Sequence, residues 1–258
     1  MKKYLRLFKM GKLERKAFAH NYKFSYLSIG IQIAISFYFW RFANIDQLAS
    51  DFNLSSIMMY FLALSILTLV FTPAMYICYE VWTSINSGEI IIWISRPVNY
   101  ILMKFFEKLG IFITTSALPM AAYILIYTIF YKGQIRHIFF GILSALAGYV
   151  ILFLVQMLIG LLSFWVKKTI TMRDLIFEIF AILGGSLMPI DFFPDLIQKL
   201  SLYSPFAYIY YLPSKILSGA MDQNYGKGLV IQIIWIIILY IVCQALYKFG
   251  KNKTVQGG

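Results

Sequence analysis

Charged side chains are scarce. Only 13% of the 258 residues are Asp, Glu, Lys or Arg, about half of the roughly 25% that clothes a soluble domain, so a water-soluble fold is excluded. Cysteine is nearly absent as well. Cys78 and Cys243 both sit inside long apolar runs, which rules out a secreted disulfide scaffold and marks them as packing residues. Acidic residues number 11 against 23 basic ones, a net charge of +12. The basic residues fall between apolar segments instead of sharing one surface, so no nucleic-acid partner is expected. What is abundant is apolar: 60% of residues are hydrophobic, with 19 Tyr and 23 Phe, and the mean hydropathy is +0.75. Such aromatics suit lipid-facing surfaces and interfacial belts. The fold class expected is an all-α polytopic membrane protein.

Catalytic signatures are missing too. There is no G-x-x-x-x-G-K-[ST] phosphate loop, and the segment Gly250–Thr254 lacks the first glycine and the preceding strand of one. The chain is therefore not expected to hydrolyse ATP. Neither H-E-x-x-H nor G-x-S-x-G nor a Cys/His cluster occurs, so no catalytic residue or metal site is expected. His20 and His137 fall near opposite membrane boundaries and read as interfacial residues. A membrane enzyme acting on lipid diphosphates displays clustered aspartates for its metal, and the inner loops have none. No internal repeat, low-complexity linker or second soluble domain is visible.

A hydrocarbon core of about 30 Å takes roughly 20 apolar residues as a helix. Six segments fit or nearly fit: 24–42, 57–79, 109–131, 138–166, 175–190 and 229–247. The fifth contains Glu178, runs through Gly184, Gly185 and Pro189, and is short for a full span. Residues 191–227, which follow, are too apolar for an ordinary loop yet are broken by Pro194, Pro205 and Pro213. Phe193, Leu196, Ile197 and Leu200 share one helical face there, with Asp195, Gln198 and Lys199 on the other. A second short helix from about Pro205 to Leu217 ends at Gly219. The pair reads as a re-entrant or interfacial hairpin completing the short span.

With the N-terminus inside, 17 of the 23 basic residues fall in inner segments and 6 in outer ones, which places both termini in the cytoplasm of a cell-membrane protein. Residues 1–23 form an amphipathic leader. Tyr4, Leu7, Phe8 and Phe18 lie on one side and Lys2, Arg6, Lys9, Lys12 and Lys16 on the other, as for a helix lying in the membrane plane that anchors topology or packs on the bundle. No cleaved signal peptide is expected. Two features stay open. Glu178 is either a functional intramembrane charge or an end residue paired with Arg173 or Lys168. Gly141, Ala145 and Gly148, with Ser144 beside them, form a small-residue stripe that packs within one subunit or between two.

The inner segment between spans two and three carries Gly88-Glu89, an apolar run, then Arg96-Pro97 and a helix from Tyr100 back toward the membrane. The outer segment carries Gly-Gly-Ser-Leu-Met-Pro-Ile-Asp-Phe-Phe-Pro at 184–194 and Ser-Pro-Phe-Ala-Tyr at 204–208. Together with six spans over nearly the whole chain, these resemble the membrane subunit of a type-2 ATP-binding cassette (ABC) exporter. The resemblance implies a single permease domain with an elbow helix at 1–23 and a coupling region at 81–108 in which Gly88, Glu89, Arg96 and Pro97 face an ATPase. It also implies an outer gate at Pro189, Phe193, Pro194, Pro205 and Phe206. Partners would be ABC ATPase subunits carrying ATP and Mg, a second permease subunit and membrane lipid. The cargo would be amphiphilic: a drug, antibiotic, peptide or lipid-like molecule. Alternative readings are a membrane enzyme acting on a lipid-linked substrate, for which only Glu178 offers intramembrane chemistry, and a non-transporting immunity, sensor or assembly protein on the same scaffold.

Overall fold

A computed structural model of the chain describes residues 6, 8–10, 22–42, 53–131, 134–221 and 225–256. Among them there is no strand. The helices are α1 (Tyr22–Phe42), α2 (Leu54–Met75), α3 (Ile77–Asn86), α4 (Ile90–Ile94), α5 (Tyr100–Ile126), α6 (Ile135–Leu161), α7 (Thr169–Leu183), α8 (Asp195–Tyr203), α9 (Tyr211–Leu217) and α10 (Tyr225–Gln256). Four rods among the described residues are long and apolar enough to cross a membrane: Leu54–Asn86, Tyr100–Ile129, Ile135–Phe164 and Tyr225–Lys253. Most of the leader 1–23, including Tyr4, Leu7, Phe18 and His20, lies outside the described residues.

Several helix ends depart from the expected bounds for local reasons. Asn53 accepts from Ser56 N at 2.7 Å and starts α2; Pro73, which has no N–H to donate, lies within its last turn. A single turn residue, Tyr76, separates α2 from α3, and the Tyr76 carbonyl still accepts from Glu80 N at 3.0 Å. The rod therefore runs on to Asn86 and into the region expected to be inner loop. Asn99 caps α5 by accepting from Leu102 N at 3.1 Å, so the next rod begins at Tyr100 and not near residue 109. The fifth helix is displaced the other way. It covers Thr169–Leu183, about 22 Å at 1.5 Å per residue, and stops at Gly184 because Gly185 turns the chain with a φ of +71°.

The hairpin following that stop fills the space the short helix leaves. Helix α8 and a 3-10 turn at Phe206–Tyr208 lead into α9, whose Tyr211, Leu212, Pro213, Ser214, Ile216 and Leu217 are all buried. α9 lies on α6. A Cβ on Gly148 would stand 2.7 Å from Ile209 O and 3.1 Å from Tyr208 O, and one on Gly141 would overlap the Leu217 side chain. The small-residue stripe thus packs within the subunit, as the seat of the hairpin, and Gly160 does the same for α3 at Cys78 and Val81. Cys78 and Cys243 are free and buried. Helix α8 keeps the expected faces only in part: Asp195 and Lys199 are exposed and Ile197 is half-buried, but Leu196 and Leu200 are 70% and 56% exposed, while Gln198 turns inward and donates to Asp191 O and Phe193 O. Those two carbonyls, freed where the chain leaves helix, need a donor more than the leucines need cover.

Further carbonyls in the break find donors. Tyr211 N donates to Gly184 O at 3.1 Å, Tyr60 Oη to Gly185 O at 2.6 Å and Tyr123 Oη to Leu217 O at 2.7 Å. Gln232 Nε2, fully buried on α10, donates to Tyr208 O and to Ser144 O, both at 2.9 Å. Gly148→Ala should push the hairpin off α6 at a cost of about 1–3 kcal/mol, whereas Gly30→Ala meets nothing within 4 Å and should be neutral. Equal thermal unfolding midpoints for the two variants would contradict this packing. Gln232→Leu should also cost about 1–3 kcal/mol by stranding the Tyr208 carbonyl; a midpoint unchanged from wild type would mean that this carbonyl has another partner.

Candidate functional site

At one end of the bundle the chain turns through α4. Gly88 adopts a φ of +77°, a left-handed conformation that suits glycine, and it reverses the chain after α3. Glu89 Oε1 accepts from Trp93 Nε1 at 3.2 Å, and the Arg96 guanidinium lies 4.8 Å over the same ring. Gly88, Glu89 and Arg96 are thus brought together around Trp93, a residue the sequence reading did not single out, and Pro97 stands exposed beside them. Ile91 and Ile92 project from this frame, 54% and 53% exposed. An apolar pair framed by one acid and one base is a compact surface for a protein partner.

The two arms of this tip are tied by charge. Glu80 on α3 meets Lys104 at 3.1 Å and Lys108 at 2.5 Å, and Glu107 meets the same lysines at 3.5 and 3.6 Å. The side chain of Lys108 is only 5% exposed, so its carboxylate partners are what make its charge tolerable there. Trp82 Nε1 donates to Lys167 O at 3.2 Å and joins the tip to the start of α7.

Along the middle of the bundle two kinds of open face appear. Between residues 68 and 83 the exposed positions of α2 and α3 are Thr68, Tyr76, Tyr79 and Thr83, with Thr72 half-buried on the same side. All five carry hydroxyls, and their spacing places them on one helical stripe. On α10 the open face is aliphatic, with Ile233, Ile234, Ile237, Ile238 and Ile241 all exposed. Along an 18-residue apolar stretch the α2–α3 rod is 78% buried, against 17% for α10. Glu178 is exposed on α7, and among the described residues it has no ion-pair partner. The expected pairing with Arg173 or Lys168 does not form. Arg173 is occupied elsewhere: it donates to Gln156 Oε1 at 3.3 Å, to Met75 O at 3.2 Å and to Asp174 at 2.9 Å.

The five residues expected at a gate are spread over the hairpin. Pro189 is buried and Pro194 is exposed at the start of α8. Phe193 offers its carbonyl to Gln198, and the Pro205 carbonyl closes the 3-10 turn by accepting from Tyr208 N. Phe206 packs against Phe180 of α7 with ring centroids 3.5 Å apart and the planes tilted by 34°. The strongest polar contact here involves residues the sequence reading passed over. Asp191 accepts from Lys215 Nζ at 2.5 Å and from Tyr211 Oη at 2.9–3.0 Å, which fastens the turn after α7 to α9. An acid and a base 24 residues apart, with three prolines between them, leave no periodic signal. Burial pushes the Tyr208 and Tyr210 phenols up, so both remain protonated donors. His137, expected to be merely interfacial, is buried and shares a 2.9 Å hydrogen bond with Tyr127 Oη.

No curated protein matches the chain. The family described as ABC-2 family transporter protein matches residues 28–257, a stretch that takes in the tip, the hydroxyl face and the hairpin alike. The chain therefore belongs to the ABC-2 transporter family and is a membrane-embedded permease subunit of a type-2 ABC transporter.

Proposed function

We propose that the chain exports an amphiphilic molecule from the cell, with α1, the α2–α3 rod, α5, α6, α7 and α10 as six membrane spans. Membership of the family implies partner ABC ATPase subunits; ATP and Mg belong on those partners. In this reading the tip at 81–108 and both termini are cytoplasmic, in line with the 17-to-6 division of basic residues. The hairpin at 191–227 is outer, the leader at 1–23 is an elbow helix, and the membrane is the plasma membrane. A second permease, identical or paralogous, supplies the opposing wall of the path.

The observation that carries the proposal is the hydroxyl stripe. The exposed face of α10 is aliphatic, whereas that of the α2–α3 rod carries hydroxyls, those of Thr68 and Thr72 donating to carbonyls one turn back. A face bearing Thr68, Thr72, Tyr76 and Tyr79 in a rod buried on its other sides is suited to a path that holds water and amphiphilic cargo in turn. Glu178 and Asp174, exposed on the neighbouring α7, suit the same watery side.

A cysteine at position 72 (Thr72→Cys) in the working complex should therefore react with an impermeant thiol reagent, whereas Ile237→Cys on the lipid side should not. Equal inertness of both would place the α2 face against lipid and remove the path. At the tip, Ile91→Asp together with Ile92→Asp should leave insertion intact and weaken ATPase association about ten- to a hundredfold, the loss expected for two apolar anchors. Undiminished co-purification of the ATPase with this variant would move the docking surface elsewhere.

A further inference from the structure

On the seam between α6 and α10 lies a groove of about 240 Å³, lined by Leu143, Leu146, Ala147 and Val150 of α6 and by Leu229 and Ile233 of α10. Every lining side chain is aliphatic. The half-buried Ala147 makes the depression, because its neighbours along the face carry longer chains. Leu143, Leu146 and Ile233 are exposed, so the groove opens sideways on the bundle. Both flanking rods are long and apolar enough to cross a membrane, and in a membrane-embedded chain that open side meets hydrocarbon or protein, not water.

One end of the groove is cationic. Arg136 precedes Leu143, Ala147 and Val150 by seven, eleven and fourteen residues, a spacing that keeps all four on one face of α6. Its guanidinium lies 5.7 Å over the ring of Tyr225, the first residue of α10, so it stands over the seam itself. Lys227 is exposed in the same first turn of α10, and a Cβ on Gly226 beside it would meet nothing within 4 Å, which leaves room there for a headgroup. Neither helix has an acid in its first turn, although acids are what the start of a helix favours. In the sequence, segments 132–136 and 222–227 hold Lys132, Arg136 and Lys227 against one acid, Asp222. Depth agrees with this polarity. At 1.5 Å per residue, Leu143 and Val150 lie about 10 and 21 Å along α6 from Arg136, and half of the hydrocarbon core is about 15 Å thick. With Arg136 at headgroup level, the groove runs through the acyl region of one leaflet.

We infer that the groove holds one acyl chain of an anionic phospholipid whose phosphate sits at Arg136 and Lys227. Charge selects this occupant over the alternatives. A zwitterionic lipid brings a cation of its own to the same place, and a second copy of the chain meeting this face isologously would set Arg136 and Lys227 against themselves. The inference rests on the membrane embedding of the chain and not on the exporter reading, and the lipid is a resident of the seam, not cargo.

The test uses the full-length chain in phosphatidylcholine nanodiscs with a trace of either phosphatidylglycerol or phosphatidylcholine carrying a diazirine in one acyl chain. After photolysis, mass spectrometry reads the label on residues 143–150 and 229–233 relative to that on Ile237 and Ile241 of the open α10 face. This ratio should favour the phosphatidylglycerol probe about five- to twenty-five-fold, a factor of roughly five for each cation near the headgroup. Arg136→Gln together with Lys227→Gln should bring the two probes level. Ala147→Phe, which fills the groove, should cut labelling there by both probes and leave Ile237 and Ile241 unchanged. Both cations are exposed, so their removal spares the fold, and the charge variant decides alone should Ala147→Phe fail to insert. Equal labelling by the two probes in the wild type would reduce the groove to ordinary lipid contact and overturn the site. A preference that survives loss of both cations would overturn it as well, and an unlabelled groove beside a labelled α10 face would mean that protein, not lipid, covers the seam.

Discussion

The fold depends on one constraint: a carbonyl that leaves a helix within an apolar bundle must find a donor, because water is not there to supply it. The chain leaves helix at Gly184 and does not return to a long one until Tyr225. Between these points, donors come from every side. Tyr60 reaches in from α2, Tyr123 from α5 and Gln232 from α10, while Gln198 and Tyr211 N serve from within the hairpin. An unmet buried carbonyl costs about 1–3 kcal/mol, so several together would rival the whole stability of a typical domain. The break exists only because the surrounding helices carry these particular side chains. Gly148 of α6 acts on the same joint by sterics, since only a bare backbone lets the carbonyls of Tyr208 and Ile209 come so close, and Gly141 makes room for the Leu217 side chain.

The same constraint sorts the surfaces. In lipid, apolar side chains gain little by leaving one helix's neighbourhood for another's, so close packing and satisfied polar groups decide which helices are central. α6 has no exposed residue from Val150 to Leu161 and holds α3, α9 and α10 around it. α10 turns most of its branched aliphatics outward. The α2–α3 rod, by contrast, spends its one open stripe on hydroxyls. Two open faces of one bundle with opposite chemistry are expected when they meet different surroundings.

Much of this was legible before any coordinate. Long uncharged runs announced α2, α5, α6 and α10, because a membrane rod needs little more than length and hydropathy. The two short helices of the hairpin were legible from Pro194, Pro205 and Gly219, which act locally on the backbone. What was not legible was set at long range. The α2–α3 rod runs past the expected end at residue 79 because helical bonding resumes after Tyr76, whose carbonyl accepts from Glu80 N. The inward turn of Gln198 could not be read from amphipathicity, since the carbonyls it serves become orphans only once the chain has broken. Trp93, Asp191 and Lys215 gave no periodic signal, for their partners are chosen by the fold and not by spacing. Glu89 and Arg96 stood out as charges, but that both serve Trp93 is a matter of the turn at Gly88.

The tip and the hairpin are joined by a single element. The rod from Leu54 to Asn86 is 33 residues long, about 50 Å. It bonds the hairpin at one end through Tyr60 and delivers Gly88 and the Trp93 frame at the other. Its far arm is clamped to α5 by Glu80 with Lys104 and Lys108, so a displacement at the tip moves both arms together instead of being absorbed between them. The place where the rod can bend is Tyr76, the single turn residue between α2 and α3. There the carbonyl of Met75 is held by Arg173 of α7, which also bonds Gln156 of α6. A bend at Tyr76 must therefore either carry α7 along or break the Arg173 bond. Since α7 ends at the hairpin, the first alternative moves the far end of the bundle in step with the tip. The second would strand a carbonyl in the apolar interior, at a cost of about 1–3 kcal/mol, and this cost favours the coupled motion.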